Sequence, residues 1–101
     1  MEDMKILSKI LKEVRVDLLD KKMDIYEIAS IIYTTEKFYE EDDFIHSYEV
    51  LQNESVSFKL IDEYNPYDNV DYWINIEFEI IEKNEESPHL SKVKIIDISW
   101  I

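Results

Sequence analysis

The chain contains no cysteine, no glycine, two prolines and a single alanine. Without cysteine there can be no disulfide framework, no thiolate nucleophile and no thiolate metal centre. Without glycine the phosphate-cradling loop, the dinucleotide fingerprint, the nucleophile elbow and the EF-hand loop are all excluded, because each needs glycine at a fixed position. Long apolar runs are missing too. A membrane span needs about 18 uninterrupted apolar residues, and MEDMKILSKILKEVRVDLLDKK is broken by charge every one to three positions. That segment also lacks the apolar stretch of a signal peptide, so a cytoplasmic location is expected.

Positive charge is the next scarcity. Eleven Lys and Arg face 24 Asp and Glu, for a net charge of −13. The 101 residues are still 46% hydrophobic and 13% aromatic, enough for one folded domain with a core and unlike the hydrophobe-poor composition of disorder. The imbalance is local. Residues 1–22 carry six cations and five anions, whereas residues 23–91 carry eighteen carboxylates against Lys37, Lys59 and Lys83. Such a field repels nucleic acid and anionic lipid, which are recognised through Lys and Arg on phosphates, and it attracts basic protein surfaces.

Ile6, Leu7, Ile10, Leu11, Val14 and Leu18 recur at helical spacing and predict a first helix over residues 3–19. Asp20 to Met23 reads as a short polar connection. Asp24 with Glu27 three residues on approximates a capping box, and Ile25, Ile28, Ala29 and Ile32 predict a second helix over 25–34, with room to run through Lys37. From Phe44 the period changes to two, and residues 44–61 read as a β-hairpin broken at Gln52 to Ser55. A helix over 41–52 competes, because Phe44, Tyr48 and Leu51 also share a helical stripe. Asn65-Pro66-Tyr67-Asp68-Asn69 is a turn. With no glycine, left-handed backbone positions are expected at Asn53, Asn65, Asn69 and Asn84.

Tyr72 to Glu82 alternates most clearly. Tyr72, Ile74, Ile76, Phe78 and Ile80 face one way, and Trp73, Asn75, Glu77, Glu79 and Ile81 the other. Glu82 to His89 is a polar loop, and a last strand runs from Lys92 to Ile101. The expected fold class is therefore α+β: two N-terminal helices packed on one face of an antiparallel β-meander of three to four strands, with the Phe78 face against the helices. The helical part is about 3–38 and the sheet part about 44–101.

The opposite face carries the candidate contact residues. Trp73, Asn75, Glu77 and Glu79 combine an aromatic anchor with acids that select a cationic partner. Glu40, Glu41, Asp42 and Asp43 form an acidic run that cannot be buried, and Tyr67, Asp68 and Asp71 add a third group in the turn. Glu77 and Glu79 have no feature separating them from ordinary strand carboxylates, so catalysis by a carboxylate pair is not expected. His46 with Asp42 and Asp43 lacks the ligand spacing of a metal site, and no cofactor is expected.

In size, acidity and absence of a catalytic motif the chain resembles bacterial toxin-immunity proteins and phage inhibitors that mimic nucleic acid. The resemblance rests on no alignable motif. The expectation is a non-enzymatic binding protein that neutralises a basic protein partner, foremost a nuclease-type toxin. The alternatives are an anti-CRISPR or anti-restriction protein, or a homo-oligomeric structural subunit whose Ser99-Trp100-Ile101 edge pairs with a copy of itself.

Overall fold

A computed structural model describes residues 2–40, 48–67 and 69–101. The chain is α+β. Helix α1 (Glu2–Leu18) leads through strand β1 (Lys22–Asp24) to α2 (Ile25–Thr34). A short helix α3 (Tyr48–Asn53) then precedes three strands, β2 (Ser55–Lys59), β3 (Trp73–Glu82) and β4 (Lys92–Trp100). The strands form one antiparallel sheet in the order β1-β4-β3-β2. Among the described residues no helix is long and apolar enough to cross a membrane.

The core lies between the helices and one sheet face. Leu7, Ile10, Val14 and Leu18 come from α1, and Ile25, Ile28, Ala29 and Ile32 from α2. Val56, Phe58, Ile74, Ile76, Phe78, Val93, Ile95 and Ile98 come from the sheet. Phe58 and Phe78 are its largest fully buried side chains. Burying a side chain of that size contributes about 1.5–3 kcal/mol. The Phe78 face therefore packs on the helices, as the alternation of residues 72–82 requires.

Helix α2 starts where the capping box places it, with the Asp24 carboxylate accepting from the Glu27 N–H at 2.7 Å. Three expectations need correction. Residues 22–24 are not a bare connection: they pair with β4 in the register Lys22 to Lys94, Met23 to Val93 and Asp24 to Lys92. The hairpin expected over 44–61 is not formed over 48–53, which is helix α3 burying Val50 and Leu51; residues 41–47 lie outside the described residues. Adjacent Val50 and Leu51 are both buried, which a helix allows and a strand with one open face does not, so over these residues the competing helix is the reading realised.

Third, the left-handed positions are not asparagines. Among the described residues they are Asp20, Glu36 and Glu54, with φ of 65°, 60° and 50°. Each follows a helix within two residues, where the chain must reverse its handedness to leave the last turn. The demand comes from the helix end, so it falls on whichever residue stands there. Strand β1 flanks β4 only at residues 92–94, so among the described residues no strand lies on the outer side of its Ser99-Trp100 end.

Two register shifts interrupt the β3–β4 ladder. Phe78 pairs with Ile95 and Glu77 with Asp97, leaving Ile96 as the extra residue; Ile80 pairs with Val93 and Glu82 with Lys92, leaving Ile81. Both isoleucines are exposed, as residues pushed out of the pleat at a bulge are.

Beyond the short β1, the backbone of β4 is closed by α1. The Arg15 guanidinium donates to the Ile98 carbonyl from Nε at 3.0 Å and from Nη2 at 2.7 Å, and the Trp100 indole N–H donates to the Leu7 carbonyl at 3.2 Å. Arg15 is the chain's only arginine. Arg15→Ala is expected to lower unfolding stability by about 1–2 kcal/mol, since hydrogen bonds to charged donors are the stronger kind. Lys9→Ala, on the exposed side of the same helix, should change it by less than about 0.5 kcal/mol. Urea denaturation checks both. Glu36→Gly and Glu54→Gly should each raise stability by about 0.5–1 kcal/mol in the same assay, because glycine enters the left-handed region without a Cβ clash.

Candidate functional site

Four stretches of chain meet at the Trp73 end of the sheet. Lys59 is opposite Trp73 in the β2–β3 register, and Trp73 exchanges backbone hydrogen bonds with Ile101 at 3.2 and 2.8 Å. On the far side of β2, Phe38 bridges to Leu60. The Tyr39 N–H donates to the Lys59 carbonyl, and the Ile61 N–H to the Lys37 carbonyl, both at 2.9 Å. Residues 37–39, 59–61, 72–73 and 101 thus lie side by side although they are far apart in sequence.

Aromatic rings follow this convergence outward from the core. Buried Phe38 stacks on Trp100 with centroids 6.1 Å apart; Trp100 meets Tyr72 edge to face at 6.1 Å; and Tyr72 meets Tyr67 at 5.9 Å. Tyr67 ends the series exposed to solvent, with Val70 and Ile101 also exposed at this end; Tyr39, likewise exposed, stands apart from the series under the Lys59 ammonium. Such a chain of rings transmits the rigidity of the core to the surface, and rigid aromatics are efficient contact groups.

Carboxylates surround the rings. Glu36, Glu40, Asp62, Glu63 and Asp71 are all exposed. The two lysines nearby are already engaged. Lys37 Nζ lies 3.1 Å from Glu13 of α1, and Lys59 Nζ lies 3.7 Å from Asp71 and 5.5 Å from the centre of the Tyr39 ring. Among the described residues no ion pair is left for Glu36, Glu40, Asp62 or Glu63, so this end presents acid with no cation to match it.

Asn65 organises the loop at this end. Its amide donates to the Val70 carbonyl, and its side-chain oxygen accepts from the Tyr67 N–H at 2.9 Å. The Asn-Pro step therefore marks a turn built on side-chain to backbone bonds.

The eleven residues singled out from the sequence divide accordingly. Glu40, Tyr67, Asp71 and Trp73 are gathered at this end. Glu41, Asp42, Asp43 and Asp68 lie outside the described residues, as does His46. Asn75, Glu77 and Glu79 continue along β3 on the Trp73 face, but their surroundings differ. The Asn75 side-chain oxygen accepts from the Ser57 hydroxyl at 2.9 Å. Glu79 is opposite Lys94, and Glu82 opposite Lys92, so acids at the far end of the strand stand beside cations. Glu77 is opposite Asp97, a like-charge pair that costs stability; Arg15 offsets it from 3.6 Å on Asp97. The open sheet face is therefore mixed in charge, and the acidic excess sits at strand ends.

Tyr39, Asp62, Asn65 and Tyr72 belong to the site and were not singled out beforehand. Tyr39 had no local signal, since its place depends on the lone bridge between Phe38 and Leu60. Asp62 and Asn65 were visible only as loop residues.

At the opposite end of the sheet, Lys83 lies over the Tyr48 ring at 5.1 Å and 3.7 Å from Glu85. The Tyr48 hydroxyl, with Glu85 in a smaller role, holds the Lys83 ammonium above its ordinary pKa. His89 packs edge-on to Tyr26 at 6.2 Å. These groups fasten the β3–β4 loop to the helices.

No protein-family model, curated protein or solved structure matches the chain. The surface therefore has to be read from its own chemistry. Asn65→Ala is expected to cost about 1–2 kcal/mol in urea denaturation, because two backbone groups lose their partner. Tyr67→Ala, at the exposed end of the ring series, should cost well under that. Equal losses for the two would show that the loop is held by the ring and not by Asn65.

Proposed function

We propose that this chain is a non-enzymatic binding protein that covers a cationic surface on another protein, with the aromatic and acidic end of the sheet as its contact. One observation carries the reading: an exposed tyrosine, Tyr67, at the end of a ring series rooted in the core, among carboxylates that outnumber lysines already committed within the chain. Aromatic anchors supply buried area and slow dissociation, while acids at the rim steer a basic partner and reject an acidic one.

The partner chemistry follows from the same argument. A surface that must be positive to work is foremost one that holds phosphates, as in a nuclease or another enzyme of nucleic acid. An acidic protein seated on such a surface blocks it without chemistry of its own, which is the role of an immunity protein toward a nuclease-type toxin. The concentration of rings at one end favours this reading over nucleic-acid mimicry, which needs carboxylates spread along a surface at phosphate-like intervals.

The reading is tested by calorimetry with the basic protein encoded beside this chain, at 50 and 500 mM salt. A complex whose affinity falls by about tenfold or more at the higher salt is expected. Glu40→Lys with Asp71→Lys should slow association, and Trp73→Ala should chiefly speed dissociation. No complex, or an affinity indifferent to both salt and these changes, refutes the proposal.

A further inference from the structure

Beside Tyr67 the surface opens into a cleft lined by Lys59, Asp62, Asn65, Tyr67 and Asp71. Its walls differ in kind: a ring, an amide, two carboxylates and an ammonium. A cation from the chain itself already occupies part of it, since Lys59 Nζ touches one Asp71 oxygen at 3.7 Å. That contact is longer than a charged hydrogen bond of about 2.7–2.9 Å. In that same position Lys59 also lies over the Tyr39 ring at 5.5 Å, so the ammonium has a partner besides Asp71. Asp71 can therefore exchange this lysine for a better donor without stranding the ammonium.

We infer that the cleft takes an arginine side chain of the cationic partner, its guanidinium forked onto Asp71 and laid against the Tyr67 ring. The inference rests on the reading of this end as a contact for a basic protein and specifies which cation it prefers. Guanidinium is planar, weakly hydrated and able to donate two parallel hydrogen bonds to one carboxylate while stacking on an aromatic face. A lysine ammonium is a compact and strongly hydrated point charge that does neither as well, and one already sits there at long range. The walls are set before the partner arrives, because Asn65 ties Tyr67 to the turn and Tyr67 rests on Tyr72. A preformed slot saves the ordering cost that a flexible loop would incur.

Two short peptides, identical except that one carries arginines where the other carries lysines, separate the possibilities when titrated into the isotope-labelled protein and followed by NMR. The arginine peptide is expected to bind roughly fivefold more tightly than the lysine peptide. Its saturable shifts should centre on Lys59, Tyr67 and Asp71. Asp71→Asn and Tyr67→Leu, each with an unchanged far-ultraviolet circular dichroism spectrum, should bring the two peptides to about the same affinity. Equal binding of both peptides to the unaltered protein, or shifts centred elsewhere, overturns the slot while leaving a cation-binding surface in place. Failure of both peptides to bind overturns the slot and the functional reading together.

Discussion

The fold depends on the clamp between its first helix and its last strand. Strand β1 covers only three positions of β4, so the rest of that strand's outer edge would present unpaired backbone groups to any passing chain. Arg15 of α1 caps one of these groups, the Ile98 carbonyl, and Trp100 of β4 fastens the same strand to the helix through the Leu7 carbonyl. Partners 83 and 93 residues apart in sequence close the molecule on itself. A guanidinium suits the place because it offers several donors to one carbonyl and still reaches a neighbouring carboxylate. A lysine would supply fewer, in no fixed geometry.

The aromatic end of the sheet follows from the same clamp. Trp100, held through its indole to α1, is the hub on which Phe38 stacks and Tyr72 abuts. The rings that reach solvent are thus fixed through the docking of helix on strand, and the contact surface inherits its stiffness from the core.

Much of the fold was legible in the sequence because its signals are local. Periodicity located α1, α2 and β3, and the spacing of Asp24 and Glu27 marked the start of α2. What stayed hidden depends on information that a local pattern does not contain. Phe44, Tyr48 and Leu51 share a helical stripe while their neighbours alternate as in a strand, so the pattern leaves helix and strand in competition over α3, and the burial of both Val50 and Leu51 decides for the helix. Side-chain preference assigns left-handed residues to Asn or Asp, whereas the ends of the helices decide them and place one aspartate, Asp20, and two glutamates there. For the site, alternation identified the face of β3 but not what lies across from it. Glu77 and Glu79 look equivalent along the strand; only the register sets one against Asp97 and the other against Lys94. Tyr39 reaches the site through an isolated bridge that leaves no trace in the pattern of residues 37–40.

The distribution of charge separates two roles that net charge alone would merge. From Trp73 to Glu82 the strand is about 30 Å long, at roughly 3.3 Å per residue. At physiological ionic strength charges further apart than about 8 Å are largely screened. The acids at the Lys83 end therefore do little for a contact made at the Trp73 end, except to draw a basic protein in from a distance and to keep this chain soluble. Affinity has to come from the groups within reach of one another: the rings anchored through Trp100, Asp71 with its replaceable lysine, and the unpaired carboxylates about them. From the middle of the face to its far end, arginine beside Asp97 and lysines beside Glu79 and Glu82 offset much of the field. On the proposed function, a cationic partner would be guided by the whole molecule but held at one end of it.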